Sequence, residues 1–233
     1  MKRPLLSLFI LILIVSCSQK KDFTLSGTVS GLKKGTLYLE KLQDTLLVRL
    51  DSVVIDGDPA FELATELKEP EVLYLHLEKK DASDYDDRIL FFAEPGEMTL
   101  TTSLENFERQ AAITGSENQA KLEEYTAMIM RFNDRNLDLL KASFEAQQKD
   151  ENEAILAADQ QMQALTKRRY LYTVNYALNN KNLEIAPYLA LSEIFDANVT
   201  YLDTIYKSLA PKVQRSRYGK ELKDFIKDRK AQE

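Results

Sequence analysis

From Phe23 to about Ile113 apolar and polar residues alternate with a period of two, which puts every second side chain on one face of an extended strand. Phe23, Leu25 and Val29 interleave with Thr24, Ser26 and Thr28, and Leu37 and Leu39 resume the pattern after a turn spanning Gly31 to Gly35. A third run, Leu46 to Ile55, ends at Asp56-Gly57-Asp58-Pro59, and Phe61 and Leu63 follow. That tetrapeptide reads as a hairpin turn, because glycine supplies the positive φ that tight turns require. Val72 to Leu77, Ile89 to Ala93, Met98 to Thr102 and Ala111 to Ile113 complete the series, with Pro95-Gly96 turning one pair. Seven or eight short strands over residues 23–115 predict an antiparallel β-sandwich or barrel.

The period changes at Gly115. Ser116 and Gln119 fit a capping box, in which each side chain satisfies the other residue's free backbone N–H. Leu122, Tyr125, Ile129, Phe132, Leu140 and Phe144 then fall near one helical face, without Gly or Pro up to Lys149. After the polar break Lys149 to Asn152, a second helix is marked by Ile155, Ala158, Met162, Leu165, Tyr172 and Tyr176. Two long helices with so short a link predict an antiparallel hairpin. Three shorter helices follow: the nearly all-apolar Pro187 to Phe195, a plug between helices and sheet; Thr200 to Leu209, with Thr200 and Asp203 as another capping box; and Arg217 to about Arg229. The expected class is α+β, with a β-sandwich over residues 23–115 and an all-α region over 116–233. No Pro-, Gly- or Ser-rich linker separates the two, so they are expected to dock.

Ahead of the first strand, residues 1–16 have the form of an export signal: basic Lys2 and Arg3, then the apolar run Leu5 to Val15, broken only by Ser7. The run is shorter than the ~20 apolar residues a spanning helix needs. Ile14-Val15-Ser16-Cys17 resembles the lipobox of bacterial lipoproteins, with Cys17 as lipid acceptor and residues 17–22 as tether. An ordinary secretory signal with a chance cysteine is the alternative. Against it, Cys17 is the one cysteine of the chain, and an exported chain with one cysteine forms no internal disulfide. Acyl chains at ~0.8 kcal/mol per buried methylene would hold the protein on its membrane. Ser18 rather than an acid follows the cysteine, which under the Gram-negative sorting rule points to the outer membrane; Ser18-Gln19-Lys20-Lys21-Asp22 also looks loosely like surface-export tags of Bacteroidetes lipoproteins.

Without Lys2 and Arg3, the 31 Lys and Arg fall to 29 against 37 Asp and Glu. An acidic, exported chain without basic clusters is a poor partner for nucleic acid. His76, the single histidine, sits among strand residues, where a structural role is the simpler reading, and Ser-His-acid chemistry has no other histidine to draw on. With Cys17 lipidated, too few His and Cys remain for zinc, and no Cys-x-x-Cys pair exists for thiol redox chemistry. No phosphate-binding glycine loop is present. Asp81, Asp84, Asp86 and Asp87 could offer oxygen ligands to calcium, but lack the spacing and glycine of an EF-hand and read better as a solvated hairpin loop. A carboxylate pair for glycoside hydrolysis is open among 37 acids, since sequence spacing does not set their separation. No metal, cofactor or catalytic residue is expected.

Phe23-Thr24-Leu25-Ser26-Gly27-Thr28-Val29, Gly35-Thr36-Leu37-Tyr38-Leu39, Asp51-Ser52-Val53, Asp56-Gly57 with Phe61, Glu69-Pro70, Phe91-Phe92-Ala93-Glu94-Pro95-Gly96 and Gly115-Ser116 resemble domain of unknown function 4369, common in exported lipoproteins of the Bacteroidetes. The match departs at Asp58-Pro59-Ala60, where relatives commonly carry Lys or Asn before the aromatic. The resemblance implies a fold, not an activity. In many relatives a thioredoxin-like domain follows, about where Tyr218 to Glu233 lie here. The expected function is a non-catalytic envelope lipoprotein that presents sandwich and helices to a protein or small ligand; the alternative is an accessory to a thioredoxin-like redox partner.

Overall fold

In the computed structural model residues 21–79 and 87–232 are described; Cys17 and three of the four acids of the 81–87 group, Asp81, Asp84 and Asp86, lie outside them. Eight strands form two four-stranded sheets. One has the order β4 (Ala60–Thr65), β1 (Phe23–Ser30), β7 (Gly96–Ser103), β8 (Ala112–Thr114); the other has β3 (Leu46–Asp56), β2 (Lys34–Gln43), β5 (Glu71–Lys79), β6 (Asp87–Ala93). The alternation seen in the sequence is the cause of the sandwich. Phe23, Leu25, Leu37, Leu39, Leu73, Leu75, Phe91, Met98 and Leu100 point between the sheets and are fully buried, each contributing about 1.5–3 kcal/mol of transfer free energy.

The sandwich is not wholly antiparallel. β1 and β7 pair in parallel, Phe23 opposite Gly96 through Ser30 opposite Ser103, while the other strand pairs are antiparallel. A parallel pair needs a long crossover, and the whole of β2 to β6 provides it. The pair is close: a Cβ on Gly27 would stand 1.7 Å from the Leu100 carbonyl oxygen. Three expected turns also do a different job. Gly31 to Gly35, Asp56 to Pro59 and Pro95-Gly96 each carry the chain from one sheet to the other instead of closing a hairpin. Turn residues dictate a reversal of direction, but not which strand then accepts the ladder hydrogen bonds. The consecutive strands that pair directly are β2–β3, β5–β6 and β7–β8.

Helix α1 (Glu117–Gln148) and α2 (Asn152–Asn179) run antiparallel, with Tyr125 stacked on Tyr172 and tilted against Tyr176 at one end and Arg135 reaching Gln161 further out. The capping box is half formed: Ser116 Oγ accepts from the Gln119 backbone N–H at 2.9 Å, but the Gln119 side chain goes elsewhere. The face of α1 that α2 covers also differs from expectation. Tyr125, Ile129, Leu139, Ser143 and Ala146 are buried, whereas Leu140 and Phe144 are exposed. A left-handed helix pair follows a seam of period seven, here 125, 132, 139 and 146, which leaves residues 140 and 144 off it.

Four helices rather than three follow: α3 (Ile185–Glu193), α4 (Val199–Ser208), the single-turn α5 (Pro211–Arg215) and α6 (Arg217–Gln232). The cap of α4 is Asn198, whose side chain accepts from the Thr200 N–H, while Asp203 pairs with Lys207 and Lys230 instead of closing a box. The turn α5 escaped the sequence reading because its five residues are too few for a helical period. As expected, α3 is the plug. Ile185 and Leu189 join Val72, Phe92, Tyr125, Ile129, Tyr176 and Tyr218 in one apolar cluster between sheet and helices. The Tyr218 hydroxyl accepts from the Val72 N–H at 3.0 Å, and Glu69 takes the Arg217 N–H that opens α6.

Candidate functional site

Strand β6 edges one sheet and β8 edges the other, so the sandwich is open between them. The start of α1 closes part of that opening. Glu94, at the end of β6, accepts from Ser116 Oγ (2.8 Å), the Asn118 N–H (2.7 Å) and Asn118 Nδ2 (2.9 Å), so a carboxylate sits where the first free N–H groups of α1 converge. Asn118 Oδ1 in turn accepts from the buried Ile185 N–H at 2.7 Å, tying α3 to the same point. Gln119 Oε1 takes the Phe92 N–H at 2.7 Å, covering a backbone donor on the outer edge of β6. Its amide also donates to Glu123 at 2.8 Å.

Beyond Phe92 the edge continues uncovered. Along an antiparallel edge strand alternate residues turn both backbone groups outward, so Leu90 presents its N–H and C=O on the side where Phe92 meets Gln119. There a cleft of about 500 Å³ opens between sandwich and helices. Ile89 and Leu90 of β6, Ala111 and Ile113 beside and within β8, Leu122, Ile129 and Met130 of α1, and Tyr188 of α3 form apolar walls. Glu108, Glu123 and Glu193 stand at its margins, and among the described residues no Lys, Arg or His lines it. Burial, reinforced by the neighbouring Tyr74 and Glu193, pushes the Tyr188 hydroxyl up to about 12, and burial likewise raises Tyr125, whose hydroxyl is hydrogen-bonded to Thr173 at 2.8 Å. Both phenols stay neutral. The cleft is thus suited to an apolar body carrying a positive group.

His76 has the structural setting expected of it. Nδ1 lies 3.3 Å from Glu40 Oε1, whose carboxylate also meets Arg88 and Arg49 on the outer face of the β3–β2–β5–β6 sheet, and its ring packs 5.7 Å from that of Tyr38. Asp87 is held by Lys79 at 2.6 Å. No group of three or more His, Cys, Asp and Glu among the described residues could hold a metal ion. Cys17 lies outside those residues, and among them no helix is long and apolar enough to cross a membrane. The cleft was not foreseen from the sequence, since its walls come from four segments between Ile89 and Glu193. One signal was available: Glu193 has no Lys or Arg within four residues on either side.

Residues 23–122 match the model of a family described as a domain of unknown function (DUF4369), a stretch that takes in all eight strands, Glu94 and the opening of α1. No curated protein and no solved structure matches the chain. Residues 23–122, somewhat under half of the chain, are thus similar to the DUF4369 family, and the helices after the start of α1 lie outside that match.

Proposed function

We propose that the protein is a non-catalytic, lipid-anchored lipoprotein of the cell envelope, placed by Ser18 at the outer membrane, and that it binds a ligand with an apolar body and a cationic group in the β6–β8–α1 cleft. The observation that carries the binding role is the lining: apolar walls, three carboxylates and no basic side chain among the described residues. Concave, mostly apolar sites with a few polar groups at fixed points are the usual form of ligand pockets. The anchor rests on the export signal and on Cys17 within Ile14-Val15-Ser16-Cys17. Absence of chemistry is supported by how the notable carboxylates are used: Glu94 and Glu69 cap helices, and Glu40 and Glu71 are paired with cations.

Fluorescence titration with dansylcadaverine, an aromatic probe with a terminal amine, tests the cleft. Saturable binding is expected, weakened roughly tenfold or more by Glu193→Gln, the worth of one charge-assisted hydrogen bond, and abolished by Ala127→Trp, which fills the groove. Equal affinity for a neutral dansyl analogue would remove the cationic preference, and indifference to Ala127→Trp would remove the cleft. Mass spectrometry of the isolated protein tests the anchor: diacylglycerol on an N-terminal Cys17 is expected, and Cys17→Ala should leave uncleaved precursor. Recovery of a thioredoxin-like oxidoreductase with the protein from gently solubilised envelopes would move the redox-accessory reading ahead of ligand binding.

A further inference from the structure

The outer part of the α1–α2 hairpin is built inside out. Residues 133–169 contribute to none of the three apolar cores, and the grooves beside them are lined by α1 and α2 alone. Within that stretch the buried side chains are Leu139, Ser143, Ala146 and Ala158. Small residues let the two helices approach but give little core. Larger apolar side chains face water: Leu137 and Phe144 are each 62% exposed, Leu156 60%, Leu140 37%, and Met130 just below them 54%.

The exposed residues of α1 are ordered. At 100° per residue, Met130, Leu137, Leu140 and Phe144 fall within a sector of about 80°, roughly 130° round the helix from the face α2 covers. Their spacing of seven, three and four is that of a coiled-coil seam with Met130, Leu137 and Phe144 at one core position, and Asn133, Leu140 and Gln147 at the other. α1 therefore carries two seams, one filled by α2 and one open.

We infer that the open seam pairs with the same seam of a second copy of this chain, the two α1 helices antiparallel about a two-fold axis near residues 138 and 139. Charge selects both the occupant and the register. With Leu137 facing Leu140 of the second copy twice, Asp134 and Lys141 flank the seam, and Asp134 stands opposite Lys141 of the second copy at both ends. Sliding one helix along the other by a heptad in either direction sets Asp134 against Asp134 or Lys141 against Lys141. Parallel pairing brings Asn136 rather than Asp134 to Lys141. Complementarity to itself about a single axis is what an isologous dimer needs and what a different protein would not demand. One helix crossing another over this length buries little area, so the dimer is weak in dilute solution. The seam shares Met130 with the cleft wall but needs neither a ligand there nor the anchor.

Sedimentation equilibrium of the isolated chain should show a monomer–dimer equilibrium in the micromolar range. Leu137→Asp should raise the dissociation constant roughly 100-fold or more, as loss of a central apolar anchor does. Lys141→Asp should raise it roughly tenfold, and Asp134→Lys with Lys141→Asp in one chain should restore it to within a few-fold. All three positions are on the solvent side of α1, so circular dichroism and melting temperature stay as in the parent. A monomer at every soluble concentration overturns the inference, and so does a dimer indifferent to Leu137→Asp. A charge-reversal pair that fails to restore the parent affinity overturns the antiparallel register.

Discussion

If Asn118 is the rivet between sandwich and helices, replacing it with alanine should cost far more than a surface change on a helix. Asn118 is 1% exposed and lies in the first turn of α1. Its Oδ1 takes the Ile185 N–H at 2.7 Å, and its Nδ2 donates to Glu94 at 2.9 Å and to Glu184 at 3.4 Å. Alanine leaves the Ile185 N–H buried without a partner, about 1–3 kcal/mol, and removes one of three donors from the Glu94 carboxylate. Glu94 keeps Ser116 Oγ and the residue-118 N–H, so the second loss is partial. The expected destabilisation is about 3 kcal/mol, a large share of the 5–15 kcal/mol of a typical domain, and about 6–12 °C in melting temperature for a chain of this size. Urea unfolding followed by far-ultraviolet circular dichroism measures it. Asn118→Asp is the sharper companion, because it keeps the acceptor for Ile185 but sets a third carboxylate between Glu94 and Glu184. It should be less stable than alanine near neutral pH and gain on it as the pH falls into the carboxylate range. A loss under about 1 kcal/mol for alanine, or an aspartate variant as stable as the parent at neutral pH, would refute the reasoning.

Gly27→Ala should prevent folding or destabilise by more than about 4 kcal/mol, the range reserved for severe clashes, because the new methyl meets the Leu100 carbonyl at 1.7 Å; yield and circular dichroism of the purified variant decide it. The Asp51 carboxyl is disfavoured as an anion by burial, but N–H groups of Ala64 and Ser52 and the Lys21 ammonium more than offset that and hold it below the usual carboxylate range. Its contribution is present above the unfolded-state pKa and is lost as pH falls through the lower folded value, so the parent should lose stability in acid more steeply than Asp51→Asn, measured as urea midpoints against pH. At the alkaline end, burial raises Tyr125, Tyr172, Tyr176, Tyr188 and Tyr218, with Tyr188 at about 12. Stability from these phenols is complete below the unfolded value and falls as pH rises toward the folded ones; tyrosinate absorbance should therefore appear together with loss of helix, and a separate, earlier titration of all eleven tyrosines would contradict the burial.

What was legible in the sequence, and what was not, divides along a physical line. Strand and helix existence follows from local periodicity, so eight strands and two long helices were readable from the positions of Phe23, Leu37, Leu73 or Tyr125 alone. Pairing does not follow from it. The β1–β7 parallel ladder joins residues about seventy apart, and Gly27 betrays the close approach only once Leu100 is known to be its neighbour. Capping shows the same limit at shorter range: Ser116 was identifiable as an N-cap, but the carboxylate that completes the cap is Glu94, 22 residues away on another element. The Gln119 amide, freed from the box, covers the edge of β6 instead.

The misplaced face of α1 is the most instructive of these cases. Leu140 and Phe144 lie on a helical stripe as apolar as the one α2 covers, and a pattern with two apolar stripes has no internal sign of which one the chain fills for itself. α2 chooses the stripe through residues 125, 132, 139 and 146, because there Thr173 meets the Tyr125 hydroxyl and Ala146 and Ala158 permit close packing. The other stripe is then left with Leu137 and Phe144 in water, at a cost that folding of a single copy has no means of recovering. A helix that an isolated chain would tolerate only with polar residues at those positions is thereby accounted for by association, and the charges at Asp134 and Lys141 give that association a direction.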